Sequence, residues 1–313
     1  MSHLRAILDR LGDIENSISD LEKAQAKAPS ATLALSLVSL ESRREMLREE
    51  LNEISANEMI DICDYKFIPE RSESYALSAV TAALQSFQEM VSFTFNSITK
   101  KVQQKAKLSR ETIEKTQFDF GFSHSGSLGI VLTMPNERLL LVDSDIEKSV
   151  SAVFEIMRSK TADDIKRAAN NYGIPAVRKL YKWSKTHNDY GMAVDIKWVR
   201  EGNVKFEVSV QGADIAEICV LIEQKSDKST EDFELSGNIT AWSVPRRSFT
   251  LEFPEGDPIS GQWSKDFDGS MSVNVPAHYR AQLTKETVVK YVSDEDEIRW
   301  YLNGLKIQTI YDA

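Results

Sequence analysis

The chain has 313 residues, 42% of them hydrophobic and 27% charged, which are the proportions of a folded globular protein. Its formal net charge of −10 excludes a surface that attracts nucleic acid or anionic lipid as a whole, so any such contact has to be local. No apolar run reaches the roughly 18–20 residues of a membrane-spanning helix. Two cysteines predict no disulfide framework, and the lack of a signal-peptide pattern predicts a cytoplasmic protein with no membrane partner.

The first 57 residues predict an antiparallel coiled-coil helical hairpin. Apolar residues recur in both helices at alternating steps of three and four, which keeps them in one seam. Pro29 interrupts the run between the helices, and Ser30 is suited to cap the second one. The seam residues are Leu4, Ile7, Leu11, Ile14, Ile18, Leu21, Leu37, Leu40, Leu47 and Leu51.

Two roles remain open for this hairpin. Two narrow apolar stripes bury each other only in part, so their outer surface needs a further contact. The hairpin either rests on its own domain or self-associates with a second chain. Arg44 stands at a seam position, where its charge needs a carboxylate. The glutamates in local reach are Glu41, Glu45 and Glu49.

Residues 58–224 predict an α+β domain in which strands and amphipathic helices are mixed. Strands are predicted at 59–68, 117–122, 128–134, 192–199 and 204–210. Helices are predicted from residue 74 onward and at 145–158, 161–171, 175–186 and 213–224. Cys63 and Cys219 fall on apolar faces and are interpreted as small core residues. Four scattered histidines without metal-ligand spacing predict no metal site and no cofactor.

The segment Ser123-His124-Ser125-Gly126-Ser127 joins two of these strands and is the most chemically suggestive stretch of the chain. A serine nucleophile needs a base at hydrogen-bond distance, but neighbouring residues on a strand point to opposite faces. The segment also departs from the G-x-S-x-G elbow, and no phosphate-binding G-x-x-x-x-G-K-[ST] motif occurs. A plain turn is therefore favoured over a ligand loop, and no catalytic residue is predicted.

The helical stretch 158–187 is the basic part of the chain. It holds eight basic residues and two aspartates, and Tyr172, Tyr181 and Trp183 lie among them. Such a composition is typical of a surface that binds phosphates and stacks bases. The candidates for nucleic-acid or acidic-partner binding are Lys166, Arg167, Arg178, Lys179, Lys182, Lys185 and Trp183. A helix-turn-helix is disfavoured because Lys179 and Lys182 replace apolar packing positions, and a solvated basic face is the alternative.

An entirely polar stretch, 225–232, is interpreted as a linker. Residues 233–313 follow with turn signals every eight to twelve residues, which predicts a small antiparallel β-barrel of the SH3-like or OB type. Its strands are predicted at 233–244, 247–253, 259–263, 279–291 and 298–310. Thirteen acidic residues against eight basic ones at 232–313 argue against nucleic-acid binding by this barrel.

The order of these parts resembles a set of uncharacterised bacterial intracellular proteins with a leading helical hairpin, an α+β body and a small β-barrel tail. The resemblance rests on the 125–127 Ser-Gly-Ser segment, the helix pair around Tyr172 and Gly173 before the Trp198 strand, and a tail pattern. The tail pattern consists of Gly237, Phe249, Ile259 and Gly261. The resemblance implies no assigned reaction and suggests an accessory component of a bacterial defence or mobile-element system.

The sequence thus favours a non-enzymatic interaction or scaffold protein that self-associates, or docks a protein partner, through its helical hairpin. The alternative is a nucleic-acid-binding protein that uses the basic helices at 158–187. An enzyme built around His124 is the weakest of the three hypotheses.

Overall fold

The computed structural model describes residues 3–70, 75–102, 107–124, 128–136, 144–269, 271–293 and 296–307. The chain divides into two compact units, Met1–Gln224 and Lys225–Ala313. Both the mixture of helices and strands and the helical amino end agree with the predicted α+β class.

The first unit contains eight helices and five strands among its described residues. The helices are α1 His3–Lys27, α2 Ala31–Asn57, α3 Leu77–Thr99, α4 Arg110–Thr116, α5 Asp145–Met157, α6 Ala162–Tyr172, α7 Ile174–Tyr190 and α8 Gly212–Glu223. The strands are β1 Ile60–Pro69, β2 Asp119–His124, β3 Gly129–Pro135, β4 Met192–Arg200 and β5 Asn203–Val210. The sequence analysis missed α4, a short helix that Ser109 caps by accepting a hydrogen bond from Thr112 N.

The five strands form one antiparallel sheet in the order β2-β3-β1-β4-β5. Alternation along the central strand β1 sends Asp61, Cys63, Tyr65 and Phe67 to one side, where all four are fully buried. Paired residues of the neighbouring strands share that side, as Trp198 does opposite Cys63. This side of the sheet holds the largest buried aromatic residues of the unit and forms its main core.

Helices α1 and α2 are joined by residues 28–30 and pack on each other and on the sheet. Seven of the predicted seam residues are at most 8% exposed, namely Leu4, Ile7, Leu11, Ile14 and Ile18 of α1 and Leu47 and Leu51 of α2. They share one buried cluster with Ile62 of β1 and Val131 of β3. Leu37 and Leu40 pack against the same cluster, and Leu21 is partly buried.

These contacts correct the assignment of the seam as an oligomerisation surface. Its residues are occupied within their own chain because the sheet supplies the third layer that two helical stripes lack. Arg44 remains near the seam and lies close to one carboxylate of α1 and one of α2. Its Nη1 lies 3.7 Å from Glu15 Oε2 on α1, and its Nε lies 3.5 Å from Glu45 Oε1.

The second unit is a closed five-stranded barrel. Its strands are β6 Ser226–Ser243, β7 Ser248–Glu252, β8 Ile259–Trp263, β9 Ala277–Lys290 and β10 Glu297–Ile307, in the order β10-β8-β7-β6-β9. Ile239, Phe249, Leu251, Leu283 and Leu302 fill its interior.

Two expectations for this unit were wrong. The polar stretch 225–232 is not a linker, because β6 begins at Ser226 and pairs with β9 from Ser226↔Lys290 onward. The side chains of this stretch are polar and exposed, so the sequence shows no strand pattern there. The strand is stabilised by backbone pairing with β9, which is distant in sequence. The barrel is also not purely antiparallel, since β10 pairs with β8 in parallel at Tyr301↔Gln262 and Leu302↔Trp263.

Candidate functional site

The predicted basic surface is divided by the packing of α7. Trp183 is 0% exposed and Arg178 only 5% exposed, so neither is available to stack on a base or to hold a phosphate. Trp183 instead donates from Nε1 to the hydroxyl of Tyr65, 2.7 Å away in the core. The prediction of Trp183 as a stacking residue was therefore wrong, because its charged sequence neighbours lie on the opposite side of the same helix.

Lys166 and Arg167 lie on the preceding helix, α6. Both are exposed, and Arg167 Nη2 donates to Asp164 Oδ1 at 2.7 Å. Asp164 also forms a reciprocal capping box with Thr161 at the start of this helix. Hydrogen bonds from Thr161 and from the Lys160 backbone lower the pKa of Asp164 below its usual value. Arg167 therefore belongs to a local arrangement at the start of α6.

Lys179, Lys182 and Lys185 do come together. They are spaced by three residues on α7 and line a groove of about 480 Å³ between α7 and α3. The other lining residues are Ala82, Gln85, Ser86 and Glu89 of α3 and Thr186 and Asp189 of α7. The sequence identified this cationic row, but it did not reveal that α3 forms the second wall.

Two carboxylates neutralise part of the groove. Lys179 Nζ lies 2.7 Å from Glu89 Oε2, and its ammonium group stands 5.7 Å from the centre of the Phe93 ring. Lys185 Nζ lies 3.5 Å from Asp189 Oδ2. Lys182 and Lys185 are the more exposed members of the row.

A buried hydrogen-bond chain runs through His187 of α7. His187 Nδ1 is 3.0 Å from the carbonyl oxygen of Met192, and its Nε2 is 2.8 Å from the hydroxyl of Tyr65. Because a carbonyl only accepts, His187 carries its proton on Nδ1 and accepts the Tyr65 proton at Nε2. Burial lowers the pKa of His187 to about 4, and burial also raises the pKa of Tyr65 well above its usual value. The chain is neutral and structural.

A second buried polar cluster was missed by the sequence analysis. Asp61, which is 0% exposed, accepts from Asn136 Nδ2, Trp198 Nε1 and the guanidinium of Arg200. Arg200 also donates to Glu147 of α5, and these bonds raise the pKa of its guanidinium above its usual value. No sequence spacing signals this cluster, because its members come from β1, β4, α5 and the end of β3.

The segment around His124 lies partly outside the described residues, which leave out 125–127. His124 Nε2 lies 3.5 Å from Asp64 Oδ1, and its ring stands over Gly129, where any Cβ would lie 2.0 Å from the ring atoms. Among the described residues no serine hydroxyl hydrogen-bonds His124. Among the described residues, this arrangement pairs a histidine with a carboxylate.

The outward face of α2 is the largest apolar feature of the described hairpin surface. Leu35, Val38 and Met46 are 72%, 63% and 66% exposed, and their spacing places them on one stripe of the helix. The predicted seam lies on the other side of α2, which faces α1, and there Arg48 of α2 pairs with Glu15 of α1. The sequence signal for this stripe was present but was less regular than the seam.

No family model matches the chain, and comparisons with curated proteins and with solved structures also gave no match. Within the described residues, no group of three or more His, Cys, Asp or Glu side chains is arranged to hold a metal ion. None of the described helices combines the length and apolar character needed to cross a membrane.

Proposed function

We propose that the protein is a non-enzymatic interaction protein that self-associates through the outward face of α2. The observation that carries the proposal is the absence of charge from the first ten residues of this helix, 31–40, six of which are exposed. An exposed helix in a chain with 27% charged residues normally carries charges on its outer face. Leu35 and Val38 therefore form an apolar surface that favours a protein contact.

A second copy of the chain is the occupant that the charges favour. Two molecules that each carry −10 repel each other except where their contact is free of charge. In a two-fold contact the same patch faces itself, and a charge-free patch meets no like charge there. The patch covers only about three helical turns, so the area falls below that of a standard interface and the association should be weak.

This surface replaces the one that the sequence suggested. The predicted seam joins α1 to α2 and to the sheet, whereas the proposed contact uses the stripe on the other side of α2. Self-association thus does not require the hairpin to open. It leaves the buried cluster around Ile7 and Leu11 intact.

The experiment is sedimentation velocity on the full chain over a wide range of concentration. We expect the average mass to rise from 35.4 kDa toward twice that value as concentration increases. Leu35→Glu and Val38→Glu place a carboxylate in the contact and should hold the protein at the monomer mass. Ile113→Glu is the control, since Ile113 is 46% exposed on α4 and lies outside the patch.

A constant monomer mass for the unmodified chain would overturn the proposal and leave a different protein as the occupant of this face. Equal loss of association in Ile113→Glu and Leu35→Glu would also overturn it, because the effect would then come from added charge alone.

The nucleic-acid alternative has less support. Of its seven candidate residues, Trp183 and Arg178 are buried, and Lys179 and Arg167 are paired with carboxylates.

For the barrel we infer an OB-type arrangement. It is supported by the five strands and by their order, in which β10 rather than β9 lies next to β8. A fold of this type assigns no function by itself. A role in a bacterial defence or mobile-element system stays a prediction from the resemblance.

A further inference from the structure

We infer that Arg158 is an autoinhibitory cap on the edge strand β5, and that it keeps β5 from pairing with β5 of a second copy. The contact is separate from the α2 face and does not depend on the self-association proposed above. Strands β2 and β5 are the outermost strands of the described sheet. An edge strand carries backbone N–H and C=O groups without a strand partner on one side, so it can serve as a template for another strand.

The composition of β5 favours such strand addition. The strand has eight residues, Asn203–Val210, and among the described strands it pairs only with β4. Every second residue from position 204 to 210 is β-branched or aromatic, which are the residue types enriched in strands. These residues are Val204, Phe206, Val208 and Val210. A strand of this length and composition at an edge requires protection from other chains.

Arginine side chains contact both edges of the sheet. Arg158, the residue at the carboxyl end of α5, donates from Nη2 to the carbonyl oxygen of Glu207 on β5. Arg5 of α1 donates from Nη1 to the carbonyl oxygen of Phe120 on β2, at 2.8 Å. An antiparallel edge strand turns alternate carbonyl groups away from its neighbour, and an added strand bonds to those groups. A charged guanidinium on such a carbonyl competes with the neutral N–H of an incoming strand.

Both contacts lie beside a β-bulge. The register of β2 against β3 shifts between Phe120 and Phe122, and Phe120 is the residue that Arg5 contacts. The register of β4 against β5 shifts next to the pair Trp198↔Phe206, and Glu207 follows Phe206 in the chain. A bulge interrupts the regular ladder of an edge strand. The same combination of bulge and arginine at both edges indicates that Arg158 protects β5 from strand addition.

The charges of β5 select a second copy as the strand that would add. Lys205 and Glu207 are exposed and lie two residues apart. When two β5 strands pair antiparallel around a two-fold axis at Phe206, each Lys205 faces Glu207 of the other copy. A two-fold axis at Lys205 or at Glu207 would place like charges opposite each other, which destabilises the pair. The axis at Phe206 is therefore the favoured register.

The experiment removes the cap from the full chain. All variants carry Leu35→Glu, so that the α2 face makes no contribution to the measured mass. We expect Arg158→Met to raise the average mass in sedimentation velocity from 35.4 kDa toward twice that value as concentration increases. Hydrogen exchange at residues 203–210 should slow in the associated protein. Arg110→Met is the matched control, because exposed Arg110 donates to the Glu114 side chain and not to a strand.

A charge exchange tests the register. Adding Lys205→Glu to Arg158→Met should weaken the association by about tenfold, because two opposite-charge pairs become two like-charge pairs. Adding Glu207→Lys as well should restore it, since the pairs are then exchanged rather than lost. Circular dichroism checks that each variant is folded. Arg158 is exposed, and Arg158→Gln, a shorter polar replacement, is the second variant if Arg158→Met does not fold.

Three results would contradict the inference. The first is a monomer mass for the uncapped variant at every concentration. The second is equal association of Arg110→Met and Arg158→Met, which would assign the effect to the added methionine. The third is association without slower exchange at residues 203–210, which would place the contact elsewhere. None of these results bears on the α2 face, because that contact is tested in the chain without Leu35→Glu.

Discussion

Asp61 and Arg200 form a buried two-point ion pair, although 139 residues separate them in the chain. Arg200 Nη2 lies 2.9 Å from Asp61 Oδ2, and Arg200 Nε lies 3.0 Å from Asp61 Oδ1. The pair joins the central strand β1 to its neighbour β4, and Glu147 extends it to α5. A carboxylate that is 0% exposed is tolerated here because its two oxygens accept from several donors at once.

Arg200→Met should therefore destabilise the first unit strongly. The substitution leaves the Asp61 charge buried without its cation, a situation that costs about 3–5 kcal/mol. Urea unfolding followed through the buried Trp183 and Trp198 measures the effect. Arg110→Met is the control, since Arg110 pairs with Glu114 on the surface, and an equal loss there would contradict this account.

The low pKa of His187 predicts that the first unit loses stability at acidic pH. Its pKa is about 4 in the folded protein against an ordinary 6.5, so the unfolded chain binds the proton more readily. The contribution of neutral His187 to the free energy of unfolding is fully present above pH 6.5 and is lost as the pH falls toward 4. This contribution amounts to about 3 kcal/mol. His187→Gln should remove this part of the pH dependence while it lowers stability at pH 7. The measurement compares urea midpoints of the two proteins from pH 7 to 4, and parallel curves would contradict the prediction.

Arg44 offers a stabilising substitution. Its Nε is buried and makes no hydrogen bond, although Glu45 Oε1 lies 3.5 Å away, and its seam position favours an apolar side chain. Glu15 keeps an ion pair with Arg48 at 2.9 Å when Arg44 is replaced. We expect Arg44→Leu to raise the free energy of unfolding by about 1 kcal/mol. The neighbouring Arg43 is exposed, so Arg43→Leu should leave stability unchanged, and a decrease in Arg44→Leu would show that the pair with Glu15 dominates.

Gly261 tests the closure of the barrel. A Cβ at this position would lie 2.3 Å from the carbonyl oxygen of Trp300, where β8 meets β10. The backbone of a closed barrel cannot move away at one point, so Gly261→Ala should destabilise the second unit by about 2–3 kcal/mol or prevent its folding. At Gly269 a Cβ would meet only the Trp263 ring at 3.3 Å, and Gly269→Ala is the milder control. Equal thermal stability of the two variants would contradict the close approach of β8 and β10.

Much of the secondary structure followed from the sequence, because apolar periodicity records which side of an element is buried. The failures share one cause. The first seven residues of β6 carry polar side chains, and their strand conformation depends on pairing with β9. Likewise, Trp183 stands among cations in the sequence but points into the core beside Tyr65. Residues that are adjacent in the sequence of a helix lie on different faces of it, so a buried residue can stand between exposed cations in the sequence.

The sequence by itself determined the acidic net charge, the helical hairpin, the basic stretch on α7 and the polar interruption near residue 225. Each of these is a property of local composition or local period. Only the tertiary structure decided that the sheet covers the hairpin seam, that α3 completes a groove with three lysines, and that Asp61 meets Arg200. Such partners are chosen by packing between distant segments, and the free energy of that packing depends on three-dimensional proximity that no local pattern encodes.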